Sequence, residues 1–343
     1  MPSTSRRPTE VGGYRLSRKL GEGSFGEVFQ GRRNGKRVAV KLERLEKGRK
    51  ARLPAEAGLI AQLQAPGIPK VYWHGSVRKH NAMAMQLLGP SLESLFRKCK
   101  KRLPVRTVLV WGEQLIERLQ YVHSRGFLHR DMKPQNFLVG KGEDTRKVYL
   151  VDFGLSKTYL DPRTGQHIPY RDGRTGLVGT ARYTSINNHL GIEPTRRDDL
   201  EGLGYVLLHL LRGSLPWQSI KAETKQERNA RIKAAKMSTS LEDLCQGLPG
   251  ELIEYMETCR KVAFDAEPPY AALRGLMRRA IAQTDCIGAA DALGGIAPEG
   301  SQASTSSYYS TTSSGYSTTR STSPTSSTAD TGHGASQRKR KRV

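Results

Sequence analysis

Alternating apolar and polar residues mark the first part of the chain, and a period of two is the pattern of half-buried strands. The alternation predicts five strands, at residues 14–20, 27–30, 37–42, 71–73 and 82–86. Between the second and the third lies Asn34-Gly35, a dipeptide typical of tight hairpin turns. The pattern therefore predicts a small antiparallel sheet near the start of the fold.

Apolar residues recur at helical spacing in later stretches of the chain. Residues 54–63 predict a helix in which Glu56 is the one acid. Ser91 is placed to cap a short helix, and Pro104 opens a longer one that stops at Gly126. A small sheet followed by a mainly helical region predicts an α+β fold.

The pattern divides the chain into two lobes and two flanking segments. We expect an N-lobe over residues 14–88 and a C-lobe over residues 89–283, joined by a linker. Residues 1–13 are polar and predict a disordered arm. Residues 284–343 turn to Gly and Ala and then to Ser and Thr, a composition that predicts a disordered tail.

Composition narrows the class of protein. With 343 residues and 36% hydrophobic residues, the chain can bury a large core. Its apolar runs are too short to cross a membrane, and neither a signal peptide nor a lipid-anchor motif is visible. The four cysteines form no Cys-x-x-Cys pair, which favours reduced thiols over a zinc site or a disulfide framework. We expect a soluble monomer of the cytoplasm and nucleus.

The charge is the unusual property. The formal net charge is +24, and most of it lies before residue 284. Such a charge fits a nucleic-acid binder or a protein that recognises acidic segments of other proteins. Aromatic residues make up only 7% and form no RNA-binding run, so we expect protein partners and no specific nucleic acid. The basic cluster at 338–342 predicts nuclear import or nonspecific anion binding.

The candidate chemistry lies in two loops, His-Arg-Asp-Met-Lys-Pro-Gln-Asn at 129–136 and Asp-Phe-Gly at 152–154. Asp131 can accept a hydroxyl proton, and Lys133 can contact a transferring phosphoryl group. Asn136 and Asp152 supply ligands for Mg²⁺. Each residue alone would be an ordinary polar loop residue, but together they match parts of the protein-kinase signature.

A glycine-rich stretch, Gly-Glu-Gly-Ser-Phe-Gly at residues 21–26, lies between two predicted strands. A dinucleotide site would place a helix after the glycines, so the context favours a flap over ATP phosphates. Lys41 ends a Val-Ala-Val strand and is predicted to bind the α- and β-phosphates, with Glu56 as its partner. A solvated Glu56 remains the alternative. The predicted ATP-binding residues are Gly21, Gly23, Ser24, Gly26, Val28, Ala39, Lys41, Glu56, Met85, Gln86 and Leu88.

Longer motifs resemble the casein kinase I family. They are Leu-Leu-Gly-Pro-Ser-Leu at 87–92, His-Ile-Pro-Tyr-Arg at 167–171, Gly-Thr-Ala-Arg-Tyr at 179–183, Ser-Ile-Asn at 185–187, Arg-Arg-Asp-Asp-Leu-Glu at 196–201, Gly-Ser-Leu-Pro-Trp-Gln at 213–218 and Phe264-Asp265. The resemblance spans residues 14–281 and implies a bilobal serine/threonine kinase that uses ATP and Mg²⁺. It also implies acidic or phospho-primed protein substrates and a tail that inhibits once autophosphorylated.

The resemblance assigns further roles. It implies one anion pocket at Arg182 and Arg228, and a second at Arg130, Lys157 and Arg174. It implies that Asp199 holds the catalytic loop in place. Three departures accompany it: the loop at 172–178 is one residue longer than usual, Gln86 replaces the hinge glutamate, and Ser219 replaces a glycine.

Two other classes of protein compete with this interpretation. A pseudokinase scaffold would be expected to lack Lys41, Asp131 or Asp152, and all three are present. A nucleic-acid-binding protein would use the same positive charge, so binding to polyanions alone does not separate it from a kinase.

Overall fold

The computed structural model describes residues 8–23, 26–46, 48 and 50–285. Its N-terminal part is an antiparallel sheet with one helix. The elements are β1 (Glu10–Val11), β2 (Tyr14–Gly23), β3 (Gly26–Arg33), β4 (Lys36–Arg44), α1 (Leu53–Gln62), β5 (Val71–Val77) and β6 (His80–Gln86). The strand order is β1-β2-β3-β4-β6-β5, so β4 lies inside the sheet and carries Lys41 between two neighbouring strands.

The alternation of apolar and polar residues explains how the strands of this sheet pack. Val38 and Val40 on β4 pack with Phe29 on β3 and Ala82 on β6, and all four are buried. The hairpin between β3 and β4 turns at Asn34 and Gly35, which have φ values of +47° and +78°. Branched apolar residues on one face and a turn that accepts positive φ thus fix the register of β4.

The rest of the described chain is mainly helical. Its elements are α2 (Leu92–Lys98), α3 (Val105–Ser124), β7 (Phe127–Leu128), β8 (Phe137–Val139), β9 (Val148–Leu150), β10 (Lys157–Thr158), α4 (Ile186–His189), α5 (Arg196–Arg212), α6 (Lys225–Ser238), α7 (Leu241–Cys245), α8 (Glu251–Lys261) and α9 (Tyr270–Asp285). Helix α5 is the central element, since the whole stretch from Asp198 to Leu210 is buried. Helix α3 packs against both α5 and α9.

The structure confirms the α+β bilobal fold, with its antiparallel N-lobe sheet and helical C-lobe. All five strands predicted from alternation are present, and Ser91 caps α2 by accepting a hydrogen bond from Ser94 N. No helix in the described residues is long and apolar enough to cross a membrane.

One boundary is wrong. The predicted disordered arm at 1–13 includes β1, where Glu10 and Val11 pair with β2 and Val11 is buried. A single buried valine in a polar stretch gives too short an alternation to be recognised as a strand. Residues 1–7, Ser24, the tail from 286 and its basic cluster lie outside the described residues.

Candidate active site

Lys41 lies at the centre of a buried ion-pair cluster. Its Nζ is 2.8 Å from both carboxylate oxygens of Glu56 on α1 and 2.8 Å from Oδ1 of Asp152. Burial acts to lower the pKa of Lys41, but the charges of Glu56 and Asp152 outweigh it and raise that pKa. The lysine is therefore a fixed cation, and Glu56 is its buried partner and not a solvated helix residue.

Helix α1 is anchored by a side chain from the sheet. Its N-cap residue, Arg52, makes no side-chain cap. Instead the Glu43 carboxylate on β4 accepts hydrogen bonds from the backbone N–H groups of Arg52 (2.8 Å) and Leu53 (3.0 Å), while Asn81 Nδ2 donates to it at 3.2 Å. A carboxylate at this end also complements the helix dipole. Glu43 thereby fixes the helix that presents Glu56.

Asp131 lies among donors from two segments, its own loop at 129–136 and the segment that carries Thr180. Lys133 Nζ is 2.5 Å from Asp131 Oδ2, and Thr180 Oγ1 donates to Oδ1 at 2.8 Å. Asn136 Nδ2 donates to the backbone oxygen of Asp131 at 3.0 Å, which leaves the amide oxygen of Asn136 for another partner. The carboxylate is thus held in one orientation, as a group that accepts a hydroxyl proton requires.

Asp199 supports the loop that carries Asp131 through hydrogen bonds to its backbone. Its carboxylate accepts the backbone N–H groups of His129 (2.7 Å) and Arg130 (2.8 Å). His123 Nε2 lies 3.1 Å from the same carboxylate, and His123 Nδ1 lies 2.7 Å from the Tyr270 hydroxyl. Burial acts to raise the pKa of Asp199, but these hydrogen bonds and neighbouring histidines lower it. An ionised, fully bonded carboxylate therefore supports the loop.

Backbone geometry contributes to the same support. Arg130 and Asp152 have φ values of +66° and +65°, a conformation that costs free energy in residues with a side chain. Gly179, at φ +84°, passes so close to the loop that a Cβ would lie 2.4 Å from the Arg130 carbonyl oxygen. A glycine is required there for the segment with Thr180 to reach Asp131.

One cavity of about 970 Å³ is bordered by Lys41, Asp152 and Lys133, while the carboxylate of Asp131, which Lys133 contacts, is buried. Its wall includes the predicted residues Gly21, Gly23, Gly26, Val28, Lys41, Glu56, Met85, Gln86, Leu88, Lys133, Asn136, Asp152, Arg182 and Arg228. Ala39 is buried on β4, where it pairs with Met85 on β6. Ser24 lies outside the described residues. At Gly26, with φ +135°, a Cβ would lie 1.9 Å from the Leu42 carbonyl oxygen, so a glycine is required where β3 begins beside β4.

The donor set fits Mg²⁺. Burial acts to raise the pKa of Asp152, but Lys41 and Lys133 outweigh it and lower that pKa, so the carboxylate is ionised. The Asp152 carboxylate and the amide oxygen of Asn136, which has no hydrogen-bond partner among the described residues, are the hard oxygen ligands that Mg²⁺ prefers. A metal held there would neutralise the charge that develops during phosphoryl transfer.

The predicted anion-binding residues separate into two groups. Arg182 and Arg228 line the cavity. Lys157 and Arg174 instead meet the buried carboxylate of Glu193, at 2.8 Å and 3.1 Å. Arg130 Nε donates to the Leu155 carbonyl at 2.8 Å. The second anion pocket therefore already contains a negative charge supplied by the chain, and its role in binding an external anion stays a prediction.

Several participants were missed from sequence. Glu193, His123 and Tyr270 are polar residues in ordinary contexts, and only the fold brings them to the site. Thr180 stands in the Gly-Thr-Ala-Arg-Tyr motif at 179–183, but the motif did not assign it a role. Glu43 could have been predicted, because it follows Lys41 by two residues on the same strand. Side chains at i and i+2 share one face of a strand, which places Glu43 on the same face as Lys41.

A flap of glycines, an ion-paired lysine, an oriented aspartate and ligands for Mg²⁺ together define a phosphoryl-transfer site on a bilobal fold. The family model of the protein kinase domain matches residues 14–263. The chain belongs to the protein kinase family, and this membership implies ATP as the phosphoryl donor, usually with Mg²⁺.

Proposed function

We propose that this chain is a serine/threonine protein kinase of the casein kinase I type. The motifs that resemble that family support the proposal, and so does the complete set formed by Lys41, Glu56, Asp131 and Asp152. Asp131 would orient the acceptor hydroxyl and take its proton. Lys133 would contact the transferring phosphoryl group, and Lys41 would hold the phosphates of ATP.

We further propose that its substrates are acidic or phospho-primed protein segments. The observation that carries this is a contrast among cations. Arg182 and Arg228 line the same cavity as Lys41 and Asp152, and neither forms an ion pair with a carboxylate in the described part of the chain. Two guanidinium groups without a carboxylate partner favour a phosphate through charge-assisted, bidentate hydrogen bonds.

The test uses three purified forms: the wild type, Arg182→Ala, and Arg163→Ala as the control for loss of one exposed arginine. Each is assayed with two serine peptides that differ only in a phosphoserine three residues before the acceptor. We expect the wild type to prefer the primed peptide. Arg182→Ala should lower kcat/KM for that peptide about tenfold, or about 1.4 kcal/mol, with little change in Arg163→Ala.

Equal use of the two peptides by the wild type would overturn the priming proposal and keep the kinase. Threonine and tyrosine versions of the better peptide test the acceptor. We expect transfer to serine and threonine, and efficient transfer to tyrosine would overturn that part of the proposal.

The Ser/Thr-rich tail and the basic cluster at 338–342 complete the proposal. We propose that autophosphorylation of the tail lowers activity, because a phosphorylated segment would compete for a basic groove. Equal activity of the autophosphorylated full chain and a chain ending at residue 285 would contradict this.

We also propose that the basic cluster at 338–342 directs part of the protein to the nucleus. An unchanged distribution in the cell after replacement of the cluster by alanines would contradict that.

A further inference from the structure

Lys236, on α6, is almost fully buried, with 1% exposure. Its Nζ donates to the carbonyl oxygen of Ala181 at 3.0 Å and to that of Thr184. The ammonium also lies 4.5 Å from the ring centre of Tyr205 and 5.2 Å from that of Trp217. The lysine thus bridges a helix and the short segment at 181–184 from inside the C-lobe.

Trp217 binds the carbonyl group of Arg182, which lies between those of Ala181 and Thr184. Its indole Nε1 donates to the Arg182 carbonyl oxygen at 2.8 Å. The backbone on both sides of the Arg182 side chain is therefore bound, by Lys236 at residues 181 and 184 and by Trp217 at residue 182. The Arg182 side chain thus extends from hydrogen-bonded backbone, and its guanidinium Nη1 lies 3.4 Å from the Tyr183 hydroxyl.

This location is costly for a cation. Burial lowers the pKa of Lys236 to about 7, although the negative charge of Glu201 acts in the opposite direction. No carboxylate in the described residues is within ion-pair distance of it, so carbonyl oxygens and ring faces stabilise the ammonium. Two of the interactions that offset the cost, the hydrogen bonds to the carbonyl oxygens of Ala181 and Thr184, also fix the 181–184 segment.

We infer that Lys236 is a positioning residue for recognition of a phosphorylated side chain. Helix α6 also carries Arg228, about two turns before Lys236. Helix α6 therefore carries Arg228 itself, and through Lys236 it also fixes the backbone that carries Arg182. Two guanidinium groups bind one phosphate well only when their separation is fixed, because loose geometry loses the benefit of preorganisation. This inference rests on the proposed phospho-primed substrate.

The experiment compares full-length wild type, Lys236→Met, Trp217→Phe and Lys261→Met. Methionine removes the ammonium and keeps a long side chain. Trp217→Phe keeps a ring and removes the N–H that binds the Arg182 carbonyl. Lys261→Met is the matched control, since Lys261 is exposed on α8. For each form we measure kcat and KM with the primed and unprimed peptides, KM for ATP, and the thermal unfolding midpoint.

The expected result is a change in the ratio of kcat/KM for primed over unprimed peptide. Lys236→Met should lower this ratio about tenfold and Trp217→Phe about threefold, mainly through KM for the primed peptide. Lys261→Met should leave it unaltered. A merely structural lysine would lower the unfolding midpoint and affect both peptides and ATP alike.

The outcomes separate the two proposals. No preference in the wild type overturns the priming proposal and this inference together. A wild-type preference that Arg182→Ala abolishes and Lys236→Met retains overturns this inference alone. If Lys236→Met does not fold, Trp217→Phe decides, and an unaltered ratio in that variant overturns the inference.

Discussion

At the scale of single residues, the site depends on charges whose partners are fixed by the interior. Lys41, Asp152 and Asp199 all hold their ionised forms because opposite charges or N–H donors outweigh the effect of burial on the pKa. Breaking one such buried pair leaves an unpaired charge, which costs more than the pair itself contributes. Replacement of one partner of a pair should therefore also perturb the partner that remains.

His209 makes the stability of the C-lobe depend on pH. Burial lowers its pKa from 6.5 to about 4. The centre of its ring lies 4.8 Å from the ring centre of Phe96 and 5.6 Å from that of Tyr183. Below pH 6.5 the unfolded chain binds a proton that the folded chain does not. The free energy of unfolding should therefore fall as pH falls from 6.5 towards 4, by at most about 3 kcal/mol from this residue.

Urea unfolding at pH 7.5 and at pH 5 measures this effect in wild type and His209→Gln. The difference between the two pH values should be smaller in the variant, because its side chain does not titrate. An equal difference in both forms would assign the pH dependence to other groups.

Sequence reasoning reached the residues whose chemistry is tied to local spacing. Asp131, Asn136, Asp152 and Lys41 were predicted because each lies in a short motif. Glu193 was not, since its partners Lys157 and Arg174 are distant in sequence and nothing in its neighbourhood marks it. Ion pairs between separate segments depend on how the chain folds back, which local patterns do not contain.

At the scale of elements, α1 decides whether Lys41 is held in place, because it carries Glu56. Apolar residues at helical spacing and the position of Pro54 predicted this helix correctly, but they did not show what anchors its beginning. The anchor is Glu43 on the neighbouring strand, and Asn81 from β6 orients its carboxylate.

Glu43→Ala should therefore loosen α1. Loss of a cap typically costs about 1 kcal/mol, and freer motion of Glu56 should raise KM for ATP as well. Glu43→Gln, which keeps one acceptor oxygen, should lie between alanine and the wild type. Urea unfolding and ATP titration measure the two effects, with Glu257→Ala on the exposed face of α8 as control. Wild-type values for Glu43→Ala would show that the carboxylate does not anchor α1.

At the scale of the whole molecule, the folded unit is longer than the family match. The match ends at residue 263, but α9 buries Leu273, Leu276 and Met277 against the helical core. Tyr270 also connects α9 to His123 and so to Asp199. The predicted end of the C-lobe at residue 283 lies close to the end of α9, because the composition changes to Gly and Ala and then to Ser and Thr just after it.

A chain ending at residue 263 should fail to fold. The three large side chains contribute about 2 kcal/mol each, or about 6 in total, which is comparable to the net stability of a typical domain. A chain ending at residue 285 should unfold cooperatively, as we expect of the full chain. Thermal unfolding followed by near-ultraviolet circular dichroism distinguishes them, and a cooperative transition in the 263 form would contradict the role of α9.

We propose that this site transfers phosphoryl groups to a hydroxyl acceptor that Asp131 orients. The most direct measurement is transfer of the labelled γ-phosphoryl group of ATP to a primed serine peptide, by wild type and by Asp131→Asn. Binding of ATP to each form serves as the control for folding. We expect transfer by the wild type and a loss of about 10²–10⁴ in kcat in the variant, with ATP still bound. Equal transfer by the two forms, or none by the wild type, would contradict it.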